Sequence, residues 1–372
     1  MHLKIALLGG DGIGPEVLAE AVKTLRSVAD IFGHNFTFKK AVIGAKAIND
    51  SRSPLPQETI DICRECDAVL FGAIGSLEYD NDPDAQVRPE QGLLQLRKEL
   101  GLYANIRPIK VFHHLIPGSP LKRHIIKGTD FVIFRELTNG IYFGEKKLDR
   151  DGTHASDLYE YSEGEISQIA HLAFKAAKKR SKKLTLVDKA NVLETSRLWR
   201  RVVMAIAKSY PEVALECIYI DKATTQMMLD PSRFDVILTD SFFGDILNDQ
   251  ASVLLGSTGI LPSASIGSDT AMFEPVHGSY PQAAGKNIAN PVASILSVAL
   301  LLQHFGLEEE SNAVVSSVLL SFNKEVVTSD ILGSSKYGTD YVGDYIANNI
   351  VDTGDILTMN DENIWLGKST II

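Results

Sequence analysis

The stretch KIALLGGDGIGPEVLAEAVKTLRSVADIF, Lys4 to Phe32, decides the fold class. An apolar run of strand length breaks into a glycine-rich turn, and Val17, Leu18, Ala21, Leu25 and Val28 then recur at helical intervals. These positions put one apolar stripe on a helix from Pro15 to about Phe32. Pro15 suits the first helical turn, where its missing N–H costs nothing and its φ is already helical. A strand, a tight turn and a helix are the grammar of an α/β protein. The turn GGDGIGPE (Gly9 to Glu16) invites a dinucleotide reading and fails it, because Pro15 stands where a third glycine is needed. No Rossmann GxGxxG is present there, and a purely structural turn is the competing reading.

The alternation continues down the chain. Further strands are expected at Ala68–Ala73, Phe131–Leu137, Leu184–Asp188, Ala214–Asp221 and Asp235–Asp240. Ligands of open α/β sheets lie beyond the carboxyl ends of the strands, which singles out Lys189, Asp221 and Asp240. The charged, turn-rich segment Phe143–Ile166 interrupts the pattern and reads as a protruding arm or hairpin. The 372 residues are enough for about two domains. With 37 basic against 47 acidic side chains the net charge is −10, which disfavours nucleic acid and anionic membrane as partners. Cys63 and Cys66 form a C-x-x-C on a helix rather than after a strand, so a redox motif is disfavoured and a reducing compartment fits. The most apolar stretch, Ser294 to Phe305, is too short for a membrane span. No signal peptide is recognisable, and a cytoplasmic protein is expected.

Four segments carry candidate chemistry. Asp245 and Asp249 stand four apart on an expected helix, where like charges repel and a divalent cation, Mg²⁺ or Mn²⁺, is the simplest compensator; a solvated acidic face is the alternative. Arg135 sits inside a strand pattern, where a guanidinium needs a carboxylate or bound anion. Arg97 and Arg107 are easier to read locally as surface residues, but three arginines together suit a dicarboxylate. Lys189, between a strand and a helix, is either a loop cation or a base whose pKa a nearby metal would depress. The segment Glu274–Pro291 has no helical or strand period and reads as a functional loop.

In combination, GGDGIGPE, RELTNGIYFG, DKANVL, FGDILND and EPVHGS, in that order over nearly the whole chain, closely resemble the β-decarboxylating dehydrogenases, the family of isopropylmalate, isocitrate, homoisocitrate and tartrate dehydrogenases. The resemblance implies two interleaved α/β domains with a large mixed sheet. One is discontinuous and cofactor-side, 1–102 plus 256–372; the other, 103–255, carries the arm (about 143–166) and the interface of a homodimer with shared active sites. It implies that Arg97, Arg107 and Arg135 hold substrate carboxylates and that Asp221, Asp245 and Asp249 bind the metal, Asp221 also touching substrate. Lys189 would be the base and Tyr142 the proton donor. Glu274, His277, Gly278, Ser279, Gln282, Gly285 and Asn290 would bind NAD. Glu90, Leu93 and Leu94, ahead of Arg97, would select the substrate. The two leucines suit a branched alkyl group on a malate, each buried methylene contributing about 0.8 kcal/mol; methylmalate and homoisocitrate remain alternatives.

Three positions depart from the family pattern. Gln282 stands where NAD users commonly carry Asp, and it repels a 2′-phosphate less. Asn139 replaces a usual glycine, with the expectation that it tolerates positive φ and preserves the turn. Asp240 and Ser241 replace a common Glu-Asn, keeping a helix-capping side chain while altering a nicotinamide contact.

Overall fold

The computed structural model describes residues 1–82 and 85–351; the end of the expected discontinuous domain, 352–372, lies outside the described residues. Twelve strands are present among them: β1 (His2–Gly10), β2 (Asn35–Ala41), β3 (Ala68–Ala73), β4 (Ala104–Lys110), β5 (Asp130–Glu136), β6 (Lys146–Leu148), β7 (Ala155–Asp157), β8 (Lys183–Asp188), β9 (Ala214–Tyr219), β10 (Val236–Thr239), β11 (Pro262–Ile266) and β12 (Ala271–Pro275). Ten form one mixed sheet in the order β2-β1-β3-β12-β11-β4-β5-β10-β8-β9. Its wings are parallel, while β12-β11-β4-β5 in the middle pair antiparallel. Late strands β11 and β12 therefore sit between early strands β3 and β4.

The opening stretch folds as read. The helix Gly14–Phe32 buries Val17, Leu18, Ala21, Leu25 and Val28, has Pro15 in its first turn, and ends on Gly33 at φ 71°. Its turn is a packing device: a Cβ at Gly10 would lie 1.9 Å from the Ala73 carbonyl oxygen, and one at Gly12 would lie 2.0 Å from that of Ser279. Asp11 is buried and accepts from the amides of Ala45 at 2.9 Å and Gly75 at 3.0 Å, fixing the neighbouring loops. GGDGIGPE thus packs tightly against the end of β3 and the loop at Ser279.

The helix Val292–His304 is buried along nearly its whole length and serves as core, and no helix of the described residues is long and apolar enough to cross a membrane. Cys63 and Cys66 are both buried and unbridged, and burial pushes the Cys63 thiol up to about 12 and raises Cys66 as well, which disfavours the thiolate. The arm is the β6–β7 hairpin, exposed throughout. It is shorter than expected, because Ser162 closes a capping box with Glu165 and starts the helix Glu163–Lys179.

Candidate active site

Strand register assembles the site. Asn105 on β4 faces Arg135 on β5 and Ser265 on β11, while Ser263 faces Glu274 on β12. Side chains two apart share a face, so Arg107, Asn105, Arg135, Ser263, Ser265 and Glu274 all project from one side of the antiparallel middle. Arg107 Nε donates to Asn105 Oδ1 at 2.7 Å, and Asn105 Nδ2 donates to Ser265 Oγ at 3.1 Å. Arg97, on the helix Pro89–Glu99, donates to Glu274 Oε1 at 2.9 Å and keeps a buried Nε with no partner. Arg107 is 8% exposed, so the surface reading of Arg97 and Arg107 was wrong: β4 was not recognisable around Pro108, and strand partners far along the chain bury it. Burial, and then Arg135 nearby, push the Arg107 guanidinium down to about 9, which leaves it charged at neutral pH.

Arg135 is the hub. Its Nε donates to the Ser241 carbonyl at 2.8 Å and its Nη1 to Asp245 Oδ1 at 2.6 Å. The other Asp245 oxygen accepts from Tyr142 Oη at 2.9 Å, and the guanidinium lies 5.7 Å from the Tyr142 ring centroid. Burial and the Asp245 carboxylate push the Tyr142 hydroxyl up to about 12, so it keeps a proton to give. Asp245 and Asp249 lie one turn apart on the helix Ser241–Leu255, as expected. The protein compensates Asp245 itself through Arg135; Asp249 is exposed and its carboxylate has no partner among the described residues. Asp240 caps that helix, accepting from Phe243 N at 2.8 Å. It is buried and accepts from the Tyr159 hydroxyl.

Lys189 follows β8 and pairs with Asp221, whose carboxyl its ammonium holds below the usual range. Asp221 is a correction: β9 ends at Tyr219, and Asp221 belongs to the first turn of the helix Ile220–Leu229. Among the described residues no three acidic, His or Cys side chains of one chain form a metal-holding group, so Asp221 does not join Asp245 and Asp249 within a chain. Asn139 is a second correction. Its φ is not positive; Gly140 takes φ +79° instead, while Asn139 N donates to Glu136 Oε2 at 3.1 Å.

On the Pro89–Glu99 helix, Glu90, Leu94 and Arg97 fall on one stripe. Leu93 packs on the core, whereas Leu94 is half-buried and joins none of the core clusters. Glu90 Oε1 lies near Gly75 and Ser279, so the helix abuts the loop after β12. In that loop His277 Nδ1 meets the Gly278 carbonyl at 2.9 Å while Nε2 is buried without a partner, and burial lowers the pKa of the ring. Gly278 is exposed with open space where a Cβ would sit, Ser279 O accepts from Ile13 N at 2.8 Å, and Glu16 holds the Gly285 amide. Asn290 Nδ2 donates to Asp330 at 3.0 Å, and Gln282 is exposed on the turn Pro281–Ala283. Glu274, read as a cofactor residue, is turned toward Arg97. Sequence reasoning missed Asn105, Ser265 and Tyr161; neutral residues in an unrecognised strand and in the root of an arm leave no local signal.

Buried guanidinium groups, a tyrosine hydroxyl on the Asp245 carboxylate and a polar loop thus lie together at the antiparallel middle of the sheet, an arrangement with the charge and shape to receive an anionic ligand. The family model for isocitrate/isopropylmalate dehydrogenases matches residues 4–346, and the chain belongs to that family of oxidoreductases. Its relatives include the 3-isopropylmalate dehydrogenase of Bacteroides fragilis, 48% identical over 352 residues, covering 94% of this chain and 99% of that protein. The 3-isopropylmalate dehydrogenase of Aquifex aeolicus is 47% identical over 361 residues, 95% of this chain and 99% of its own. Among solved structures, isocitrate dehydrogenase from Methylococcus capsulatus superposes with a TM-score of 0.84 at 33% identity, covering 94% of this chain and 99% of that one. A β-decarboxylating dehydrogenase from Thermococcus kodakarensis gives 0.77 at 35% identity, covering 97% and 98%.

Proposed function

We propose that the protein catalyses the oxidative decarboxylation of (2R,3S)-3-isopropylmalate to 4-methyl-2-oxopentanoate and CO2, using NAD and Mg²⁺ or Mn²⁺, as a step of leucine biosynthesis. The observation that carries this reading is the stripe of Glu90, Leu94 and Arg97: an apolar side chain outside the core shares a helix face with Arg97, whose guanidinium neighbours those of Arg107 and Arg135. A malate skeleton offers the carboxylates, and a branched alkyl substituent suits Leu94.

The donor sets fit the absent groups. Asp249 is an unpaired hard oxygen ligand one turn from Asp245, and the buried, unpartnered Nε2 of His277 fits a polar ligand at the loop after β12. Asp245 and Asp249 would hold the divalent cation, which would supply Lewis-acid polarisation of the substrate oxygens, and the loop after β12 would hold NAD, which would supply the hydride acceptor. Arg97, Arg107 and Arg135 grip and orient the carboxylates. Lys189 takes the hydroxyl proton, and Tyr142 returns a proton to C3 of the enol after CO2 departs. Because Asp221 forms no metal-holding group with Asp245 and Asp249 among the described residues of one chain, the proposal includes a homodimer in which Lys189 and Asp221 complete the site of the other subunit. It also includes the division into 1–102 plus 256–372 and 103–255, which the insertion of β11 and β12 between β3 and β4 supports.

The test compares kcat/KM for 3-isopropylmalate, methylmalate, homoisocitrate and isocitrate, each with NAD and NADP, before and after exhaustive demetallation. Isopropylmalate with NAD is expected to lead and demetallation to abolish turnover; isocitrate leading would overturn the assignment.

A further inference from the structure

The chain returns from the arm through Leu158–Ser162 and delivers Tyr161 behind the arginine face. Tyr161 is 7% exposed and packs edge-on against Trp199 at 5.4 Å between centroids. Its hydroxyl accepts from the Ser241 amide at 3.1 Å and shares a 2.9 Å hydrogen bond with Ser241 Oγ. Ser241 Oγ donates its only proton to the Asn139 carbonyl at 3.0 Å, so toward Tyr161 it can only accept, and the Tyr161 hydroxyl also hydrogen-bonds the buried Glu136 carboxylate. The carbonyl of the same Ser241 receives Arg135 Nε at 2.8 Å. One residue thus joins the turn that carries Tyr142, the guanidinium of Arg135 and the hydroxyl of Tyr161. Gly140 closes the circuit: a Cβ there would lie 2.5 Å from both Tyr161 Oη and Ser241 Oγ.

We propose that Tyr161 is a positioning residue for carboxylate recognition. Its hydroxyl fixes the first residue of the helix Ser241–Leu255, and the Ser241 carbonyl then fixes the direction in which Arg135 presents its fork. Both protein anchors of Arg135 lie on that helix, at Ser241 and Asp245, and Nη2 has no partner among the described residues. A fork binds a carboxylate through two parallel bonds only when its plane is aligned, so a small tilt of the helix start forfeits the second bond. Tyr161 touches no substrate and acts through Ser241. The inference rests on the proposed dicarboxylate chemistry and deepens it.

Tyr161→Phe keeps the ring against Trp199 and removes only the hydroxyl. The KM for the dicarboxylate, and its Kd measured by calorimetry on the metal-loaded protein without nucleotide, are expected to rise roughly 5- to 30-fold with kcat changed less than about threefold. Ser241→Ala interrupts the same circuit more gently, and a rise of roughly two- to fivefold is expected even should the phenylalanine variant fold poorly. Phe174→Leu, which removes a buried ring stacked on Tyr210 at 4.9 Å, is the control: it lowers Tm and leaves Kd unchanged. Unchanged Kd in the Tyr161 and Ser241 variants overturns the proposal, as does an equal rise in the Phe174 variant. Wild-type protein that binds the dicarboxylate without oxidising it would overturn the functional reading instead, and the calorimetric comparison would still decide the role of Tyr161.

Discussion

The arginine face and the Lys189–Asp221 pair supply the two ends of the same proposed reaction, yet they are built by opposite means. Arg97, Arg107 and Arg135 are held by partners from strands and helices up to 177 residues away along the chain. The side chains of Arg97 and Arg135 are 11% and 7% exposed, so their orientation is set before any ligand arrives. Lys189 and Asp221 are 29% and 64% exposed and hold chiefly one another. An ion pair in that setting contributes about 0–1 kcal/mol and is readily exchanged for other partners. The contrast teaches that one chain preorganises the arginines proposed to recognise the anion, whereas Lys189, the proposed proton acceptor, is held loosely and would be completed by a second surface, proposed to be another subunit.

The strongest way to break this contrast is to disable each side in turn. Lys189→Met should lower kcat by about 10²–10⁴ with Tm and circular dichroism unchanged, because an exposed pair contributes little to folding; near-normal turnover would remove Lys189 from the proton transfer. Arg135→Lys should also be nearly inactive, since a point charge cannot reproduce the fork. Mixing the two inactive proteins and exchanging subunits then separates shared sites from private ones. In a two-fold dimer with shared sites, each mixed dimer has one intact site, so statistical exchange should restore about a quarter of the wild-type rate. No recovery, with mixed dimers confirmed by mass spectrometry, would place each site within one chain.

The same contrast explains what was legible in the sequence. The positions of candidate residues at element ends, such as Lys189, and of the i, i+4 aspartates could be read from local pattern, because strand-then-helix grammar and helical periodicity are local. Arg107 could not, because its burial is created by β5 and β11 pairing around a strand that contains Pro108. Strands β2, β4, β11 and β12 were all missed, and three of them make up most of the antiparallel middle where the arginines meet. Their polar inward residues, Asn105, Ser263, Ser265 and Glu274, break the apolar runs by which the parallel wings announce themselves. A buried polar face thus hides the strands that carry it from a reading based on hydrophobicity. The positive φ expected at Asn139 fell on Gly140 for a related reason: the space is dictated by Tyr161 and Ser241, which no local pattern reveals.

Two smaller effects sharpen the comparison, one from each side. On the buried side, burial raises the Asp240 carboxyl from 3.8 to about 6. As pH falls through that window the folded state takes up the proton before the unfolded state does, so this residue adds stability on acidification and loses it as pH rises. Asp240→Asn keeps an acceptor for Phe243 N and removes the titration. Between pH 7 and pH 4 the wild type should therefore gain about 1–3 kcal/mol on the variant in urea unfolding. Glu136, raised in the same direction by burial, is one of the charges that raise Asp240, so the difference reports the coupled pair. Parallel stability curves would show that Asp240 is not desolvated.

On the exposed side the matching probe is Gln282, which faces solvent on the turn after the His277 loop. A carboxylate there would oppose the 2′-phosphate of NADP across water rather than within the protein. Screening keeps such a repulsion small, so Gln282→Asp should lower kcat/KM with NADP only roughly 3- to 10-fold and leave the value with NAD within about twofold. An unchanged NAD/NADP ratio would take Gln282 out of the ribose site. A change of a hundredfold would mean that the loop closes over the cofactor and excludes solvent. Gln282 would then belong, once ligand is bound, with the buried arginines rather than with Lys189.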